Sequence, residues 1–322
     1  MEIKNKKSKF QLISSISIAI VGITIVLIAL GFTKTDVLST EKEKANPTNA
    51  SVQSLGLPEN ITFANESVPL NDPDVAERLD RELLVNTYWQ SNAIMLIKRG
   101  HKYFPIIEPI LKDYGVPDDF KFLALAESGL MQVVSPAGAT GFWQLMKATA
   151  KEYGLEVNTN VDERYNIELA THAACQYLLK SKEKFGSWTL AAAAYNAGNT
   201  GILRQQERQE VENYYDLLLI EETSRYVFRI LALKEIFNNY EDYGFSIDPS
   251  HFYSTSKSKP LMVDYAIDNL AEFAKTQGIS YKTLKRFNPW LRDNFLVNNS
   301  GKEYVFQIPD TLNYPIHSLH KN

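Results

Sequence analysis

The chain has 322 residues, 44% of them hydrophobic and 22% charged, with a formal net charge of −4. That length supports a sizeable core plus a smaller module, and the near balance of acids and bases excludes a nucleic-acid binder held by phosphate contacts. The single cysteine, Cys175, excludes an internal disulfide, so the fold rests on its core. The five histidines show no ligand spacing apart from His317 and His320, which read as tail residues; no metal or other cofactor is expected.

In chain order, residues 1–9 form a basic segment with Lys4, Lys6, Lys7 and Lys9, and residues 10–32 form an uncharged, mostly apolar run. Basic residues before such a run place the start in the cytoplasm and the remainder across a membrane. The run is long enough for a bilayer span of about 20 residues. It reads as an uncleaved signal anchor, although Ala29-Leu30-Gly31 would also suit cleavage of a signal peptide. No cysteine lies directly after the run, which argues against a lipoprotein. Residues 33–72 are polar, contain several prolines and show no apolar periodicity, so they are expected to be a flexible tether.

Helical patterning starts at Pro73 and continues to about Tyr240, and an all-α domain is expected over 73–245. Its turns are expected at Gly100, Gly115, Gly154, Gly186 and Gly198 to Gly201, and its core at Trp89, Tyr103, Phe104, Trp188 and the run 217–236. Residues 260–310 behave differently. A strand at 261–267, helices at 270–277 and 281–288, and a strand at 304–308 give a small α+β unit of order βααβ.

Within the helical region, Phe120, Phe122, Leu123 and Leu125 lead to one carboxylate, Glu127. A Glu closing so apolar a run is partly desolvated, which disfavours its charged form and raises its pKa. A carboxylic acid that keeps its proton near neutrality can protonate a glycosidic oxygen. Asp118 and Asp119 look like caps of the helix leading to Glu127, and Asp162 like the start of the next helix, so the motif supplies one catalytic carboxylate. Residues 135–141 are small and include two glycines, suiting a tight turn beside a ligand. Phe142 to Met146 are expected to restart a helix, with Gln144 and Met146 available to a sugar ring; Trp143 either offers a flat face or is core.

Three segments carry a resemblance: Glu127-Ser128 with Ser135 and Gly138-Ala139-x-Gly141-x-x-Gln144-x-Met146; Ala194-Tyr195-Asn196-Ala197-Gly198; and Glu222-Thr223-Ser224-Arg225-Tyr226-Val227. Together they resemble the lysozyme-like catalytic domain of lytic transglycosylases, of the soluble type and the membrane-bound D group. The C-terminal unit, with Asn288 and Ile308-Pro309, resembles a divergent LysM peptidoglycan-binding module in which Ile267-Asp268-Asn269-Leu270 replaces the usual Gly-Asp-Thr-Leu. The loop after Glu127 is one residue shorter than in many relatives, which loosens the alignment of Ser135.

The resemblance implies a mainly α protein with a lysozyme-like domain and a small α+β module. It implies cleavage of the β-1,4 bond between N-acetylmuramic acid and N-acetylglucosamine with 1,6-anhydro-muramyl products, and Glu127 as single acid and base. Ser135, Gln144, Met146, Tyr195, Asn196 and Tyr226 would bind substrate. The implied place is the periplasmic side of the inner membrane, with peptidoglycan strands as partner and wall-synthesis or division proteins as further candidates. Two alternatives stand beside it: a hydrolytic muramidase of the goose-type lysozyme kind, and a non-catalytic peptidoglycan-binding scaffold.

Overall fold

The computed structural model describes residues 53–310. The basic segment, the apolar run proposed as an anchor, and His317 and His320 lie outside them. Among the described residues, no helix is long and apolar enough to cross a membrane.

The first described element overturns part of the expected tether. A two-residue hairpin, β1 (Thr62–Phe63) and β2 (Glu66–Ser67), is packed into the helical core. Ile61, Phe63, Ala64 and Val68 are all buried, and the Phe63 ring meets Phe120 edge-on at 5.1 Å. Four scattered apolar residues make no periodic signal in a polar stretch, yet burying a single phenylalanine is worth about 1.5–3 kcal/mol. Glu66 fixes the strap from its other side and caps a helix far away in sequence, as described below.

Eight helices follow: α1 (Pro73–Tyr88), α2 (Gln90–Asp113), α3 (Phe120–Ser128), α4 (Lys147–Glu152), α5 (Ile167–Phe185), α6 (Trp188–Ala197), α7 (Asn199–Gln209) and α8 (Glu221–Asn238). Their ends follow local chemistry. Asp72 accepts a hydrogen bond from the Asp74 amide ahead of Pro73, and Asn166 accepts from Glu168 and Leu169. Gly129 at φ 59° and Gly186 at φ 68° close α3 and α5 in the left-handed conformation. Helix α6 lies at the centre; Ala191, Ala192, Ala193 and Ala194 are fully buried, and their small side chains let α5, α7 and α8 approach closely.

Several expectations are corrected here. Gly100 is no turn: it sits inside α2, where an added Cβ would lie 2.3 Å from Phe237 Cε2 on α8. Gly100→Ala is expected to cost about 1–3 kcal/mol through overpacking, seen as a lower urea midpoint at unchanged slope. Trp89 is 60% exposed at the α1–α2 junction and does not belong to the core. Asp119 occupies the N-cap position of α3 but makes no capping bond; its carboxylate instead accepts from the Ala64 amide and Lys234 Nζ, both at 2.7 Å. Asp118 pairs with Lys121. Residues 141–144 form a turn, Leu145 pairs back with Thr140, and the helix begins only at Lys147.

The C-terminal unit pairs β3 (Ser258–Val263) with β4 (Tyr304–Pro309) antiparallel, from Ser258↔Pro309 to Val263↔Tyr304, with α9 (Leu270–Thr276) and α10 (Tyr281–Phe287) between them. Trp290 stacks on Tyr304 and meets Phe306 edge-on within a core that also holds Leu270, Phe273 and Leu284. Buried Asn288 ties α10 to β4: its amide donates to Leu284 O and Gln307 O, and its carbonyl accepts from the Gln307 amide.

Candidate active site

Helix α3 brings Glu127 to its last turn because its other positions are committed to the core: Phe120, Phe122, Leu123, Ala124 and Leu125 are buried. The helix cannot continue past Ser128, since Gly129 turns left-handed and Leu130 follows at φ 53°. Ser128 then pins this end by donating to Phe142 O at 2.8 Å and to Ala124 O. The catalytic candidate and the small-residue loop are therefore held together by one buried hydroxyl.

The Tyr226 hydroxyl of α8 donates directly to Glu127 Oε1. Burial pushes the Glu127 carboxyl up to about 7, and nearby Glu222 adds to the rise; the Tyr226 hydrogen bond and the positive charge of Arg229 act in the opposite sense. Desolvation wins. Tyr195 and Tyr226 are themselves pushed well above the ordinary tyrosine value, by burial first and by the Glu127 charge second, so both remain protonated donors.

Among the other sequence candidates, Tyr195 donates to Trp143 O at 2.7 Å, joining α6 to the loop. Asn196 reaches α8 rather than Glu127: it accepts from Thr223 Oγ1 at 2.8 Å and donates to Glu222 at 3.2 Å. Gln144 stands at φ 46°, unusual for a residue with a Cβ, and its amide nitrogen donates to Gly141 O at 2.8 Å and Val133 O at 3.1 Å. Ser135 closes its own turn, its Oγ accepting from the Ala139 amide at 3.0 Å. Met146 is exposed, whereas Trp143 is fully buried and donates to Thr171 Oγ1, so Trp143 presents no face to a ligand.

Sequence reasoning missed Arg229 and Glu222 as neighbours of Glu127. Both fall on the face of α8 that carries Tyr226, at spacings of three and four residues, and that periodicity is the signal that would have found them. Beneath this face lies Glu82 of α1, only 1% exposed, with Arg225 at 2.7 Å, Arg81 at 3.6 Å and Arg229 at 3.8 Å. No group of three or more His, Cys, Asp or Glu suited to a metal occurs among the described residues.

The strap residue Glu66 reinforces α6 behind the site. Its carboxylate accepts from the Trp188 and Thr189 amides at 2.6 and 2.9 Å and from the Ser187 and Thr189 hydroxyls at 2.8 and 2.7 Å. Partial burial alone would raise its pKa, but these bonds outweigh that and hold it at about 2. A depressed carboxylate pKa gives stability that is full above 4.5 and lost as the pH falls towards 2. Glu66→Gln is expected to cost about 1 kcal/mol at pH 7, after allowance for solvent screening. The deficit should shrink below pH 4 in thermal melts of the two proteins.

Residues 104–218 match the transglycosylase SLT domain, and residues 259–312 match the soluble lytic transglycosylase C-terminal LysM-like domain. Membrane-bound lytic murein transglycosylase D of Escherichia coli (strain K12) is 30% identical over 215 residues, covering 64% of this chain and 46% of that protein; the protein of a second Escherichia coli strain matches equally. The chain thus spans about half the length of these curated relatives. The solved structure of an inactive mutant of lytic transglycosylase Slt from Pseudomonas aeruginosa shares 23% identity with a TM-score of 0.34, over 46% of this chain and 26% of that one. The chain accordingly matches the transglycosylase SLT domain over 104–218 and, over 259–312, the LysM-like domain found at the C-terminus of soluble lytic transglycosylases.

Proposed function

We propose that the protein is a peptidoglycan lytic transglycosylase that cleaves the β-1,4 bond between N-acetylmuramic acid and N-acetylglucosamine. The observation that carries the reading is Glu127, a carboxyl raised to about 7 and hydrogen-bonded by Tyr226, within a matched SLT domain. Glu127 gives its proton to the leaving glycosidic oxygen while the N-acetyl group of the substrate stabilises C1 of the muramyl residue. The carboxylate then accepts the proton of the muramyl 6-hydroxyl, and that oxygen closes on C1. One group thus serves as acid and then base, in place of the two carboxylates of ordinary glycosidases. Tyr226 steadies the carboxyl between the two steps, and Ser135, Gln144, Met146, Tyr195 and Asn196 form the surrounding sugar contacts.

The same reading places the enzyme in the cell envelope, with the N-terminal apolar run as its membrane anchor and the LysM-like module as a peptidoglycan contact. Purified sacculi incubated with the protein test it by mass spectrometry of the released muropeptides. Products lighter by one water and carrying 1,6-anhydro-muramyl ends are expected. Reducing muramyl ends would make it a muramidase, and no product with sacculi still bound would make it a scaffold.

A further inference from the structure

The segment 156–165 is gripped from both sides. On one side it joins the C-terminal module: the Asp162 amide donates to Trp290 O at 2.9 Å, and the Arg292 amide to Asn160 O at 2.8 Å. The Asn160 side chain donates to Phe295 O at 2.6 Å and accepts from the Val297 amide at 2.9 Å. Val161 and Tyr165 belong to the module's own core, and the Arg292 guanidinium lies 3.9 Å from the Tyr165 ring centre. Lys302 closes the joint with ion pairs of 2.8 Å to Glu156 and Glu163.

On the other side the same segment holds the loop that carries Ser135 and Gln144. Buried Arg164 forms a two-pronged pair with Asp162, at 2.9 and 2.7 Å, which aims its remaining nitrogen at the loop. That nitrogen donates to Gly138 O at 3.0 Å and Leu145 O at 3.1 Å, bridging the two ends of the turn. Gly141 packs so closely on Arg164 O that a Cβ there would come within 2.2 Å, and Gln132 donates to Tyr165 O at 2.7 Å.

We propose that Arg164 is a positioning residue for the sugar-contacting loop, and that the C-terminal module acts as the loop's buttress through Asn160, Asp162 and Tyr165. The inference rests on the proposed transglycosylase reading for its kinetic arm and on geometry alone for its structural arm. Lysine offers only a point charge in place of the planar fork, so it cannot span the same carbonyls and carboxylate.

The full chain is tested as Arg164→Met, and as Arg292→Ala, which removes an exposed module residue and leaves the site untouched. Amide hydrogen exchange over 133–145 is expected to quicken about tenfold in both variants, with α3, α6 and α8 unchanged. With glycan substrate, KM should rise about tenfold while the pH at which activity falls stays in place, since Glu127 is not altered. Exchange that quickens uniformly across the helices would make Arg164 merely structural and overturn the positioning role. Loop exchange unchanged in Arg292→Ala would overturn the buttress. A wild-type protein without activity defeats the transglycosylase reading and leaves the exchange result to decide this one.

Discussion

Replacing Glu127 with Gln is expected to lower glycan cleavage by at least about 10³-fold, because the one group is asked to give a proton and then take one. The same substitution should stabilise the fold. The Glu127 carboxyl sits at about 7 against an ordinary 4.5, so the folded protein holds a proton that the unfolded chain has already released between those values. Stability contributed by this site therefore falls as pH rises from 4.5 to 7 and levels off above, by roughly 3 kcal/mol at most. Thermal melts at pH 8 should show Glu127→Gln melting higher than wild type, with the gap closing below pH 4.5. The wild-type rate should decline above pH 7 as the acid form is lost. An inactive variant that is no more stable would point to a carboxyl ionised at rest, and the acid step would need another donor.

Glu82→Ala is expected to be the most damaging single change to stability. It strands Arg225 and Arg229, whose side chains are 24% and 35% exposed, over a hole that held an almost fully buried carboxylate. Breaking a buried pair from one side costs about 3–5 kcal/mol, and partial access of the arginines to water favours the lower end. The urea midpoint should fall at constant slope. A second consequence separates this from a simple packing defect. With Glu82 gone, the charge of Arg229 is no longer partly neutralised by its buried partner and acts more strongly on Glu127, so the alkaline fall in activity should move to lower pH. A destabilised variant with an unmoved pH profile would confine Glu82 to packing.

What could be read from the chain beforehand divides along physical lines. The apolar run 120–125 announced a buried helix, and burial is the cause of the Glu127 shift, so that part of the chemistry was legible in composition. The apolar residues of 304–308 likewise mark the second strand of the small module, whereas the first, expected at 261–267, lies at Ser258–Val263 and ends where Val263 pairs with Tyr304. Contacts made by isolated residues left no such trace. Phe63 and Glu66 sit in a polar stretch, and the partners of Glu66 lie more than 100 residues away. Gln144 stands among apolar neighbours that suit a helix, but Gly141 and the amide's own bonds stabilise a left-handed turn instead. Trp89, expected in the core, lies exposed where the chain passes from one helix to the next. The docking of the module on 156–165 depends on backbone amides and the polar side chains of Asn160 and Asp162, to which hydropathy is blind.

The hydrogen bonds of Gln144 determine what that side chain has left to offer. An amide can be drawn either way round, but both of its partners here are carbonyl oxygens, so the nitrogen must face them. Its donors are committed inward, and the group it can turn to an incoming molecule is a single carbonyl oxygen. In the sugar contact proposed for Gln144, that oxygen would accept an N–H or O–H and offer nothing to a bare acceptor. A sugar bearing an acetamido N–H meets that demand, and the same ring with an ester or ether oxygen at that position does not. The turn itself fixes that orientation, through the bonds of the amide to Gly141 O and Val133 O.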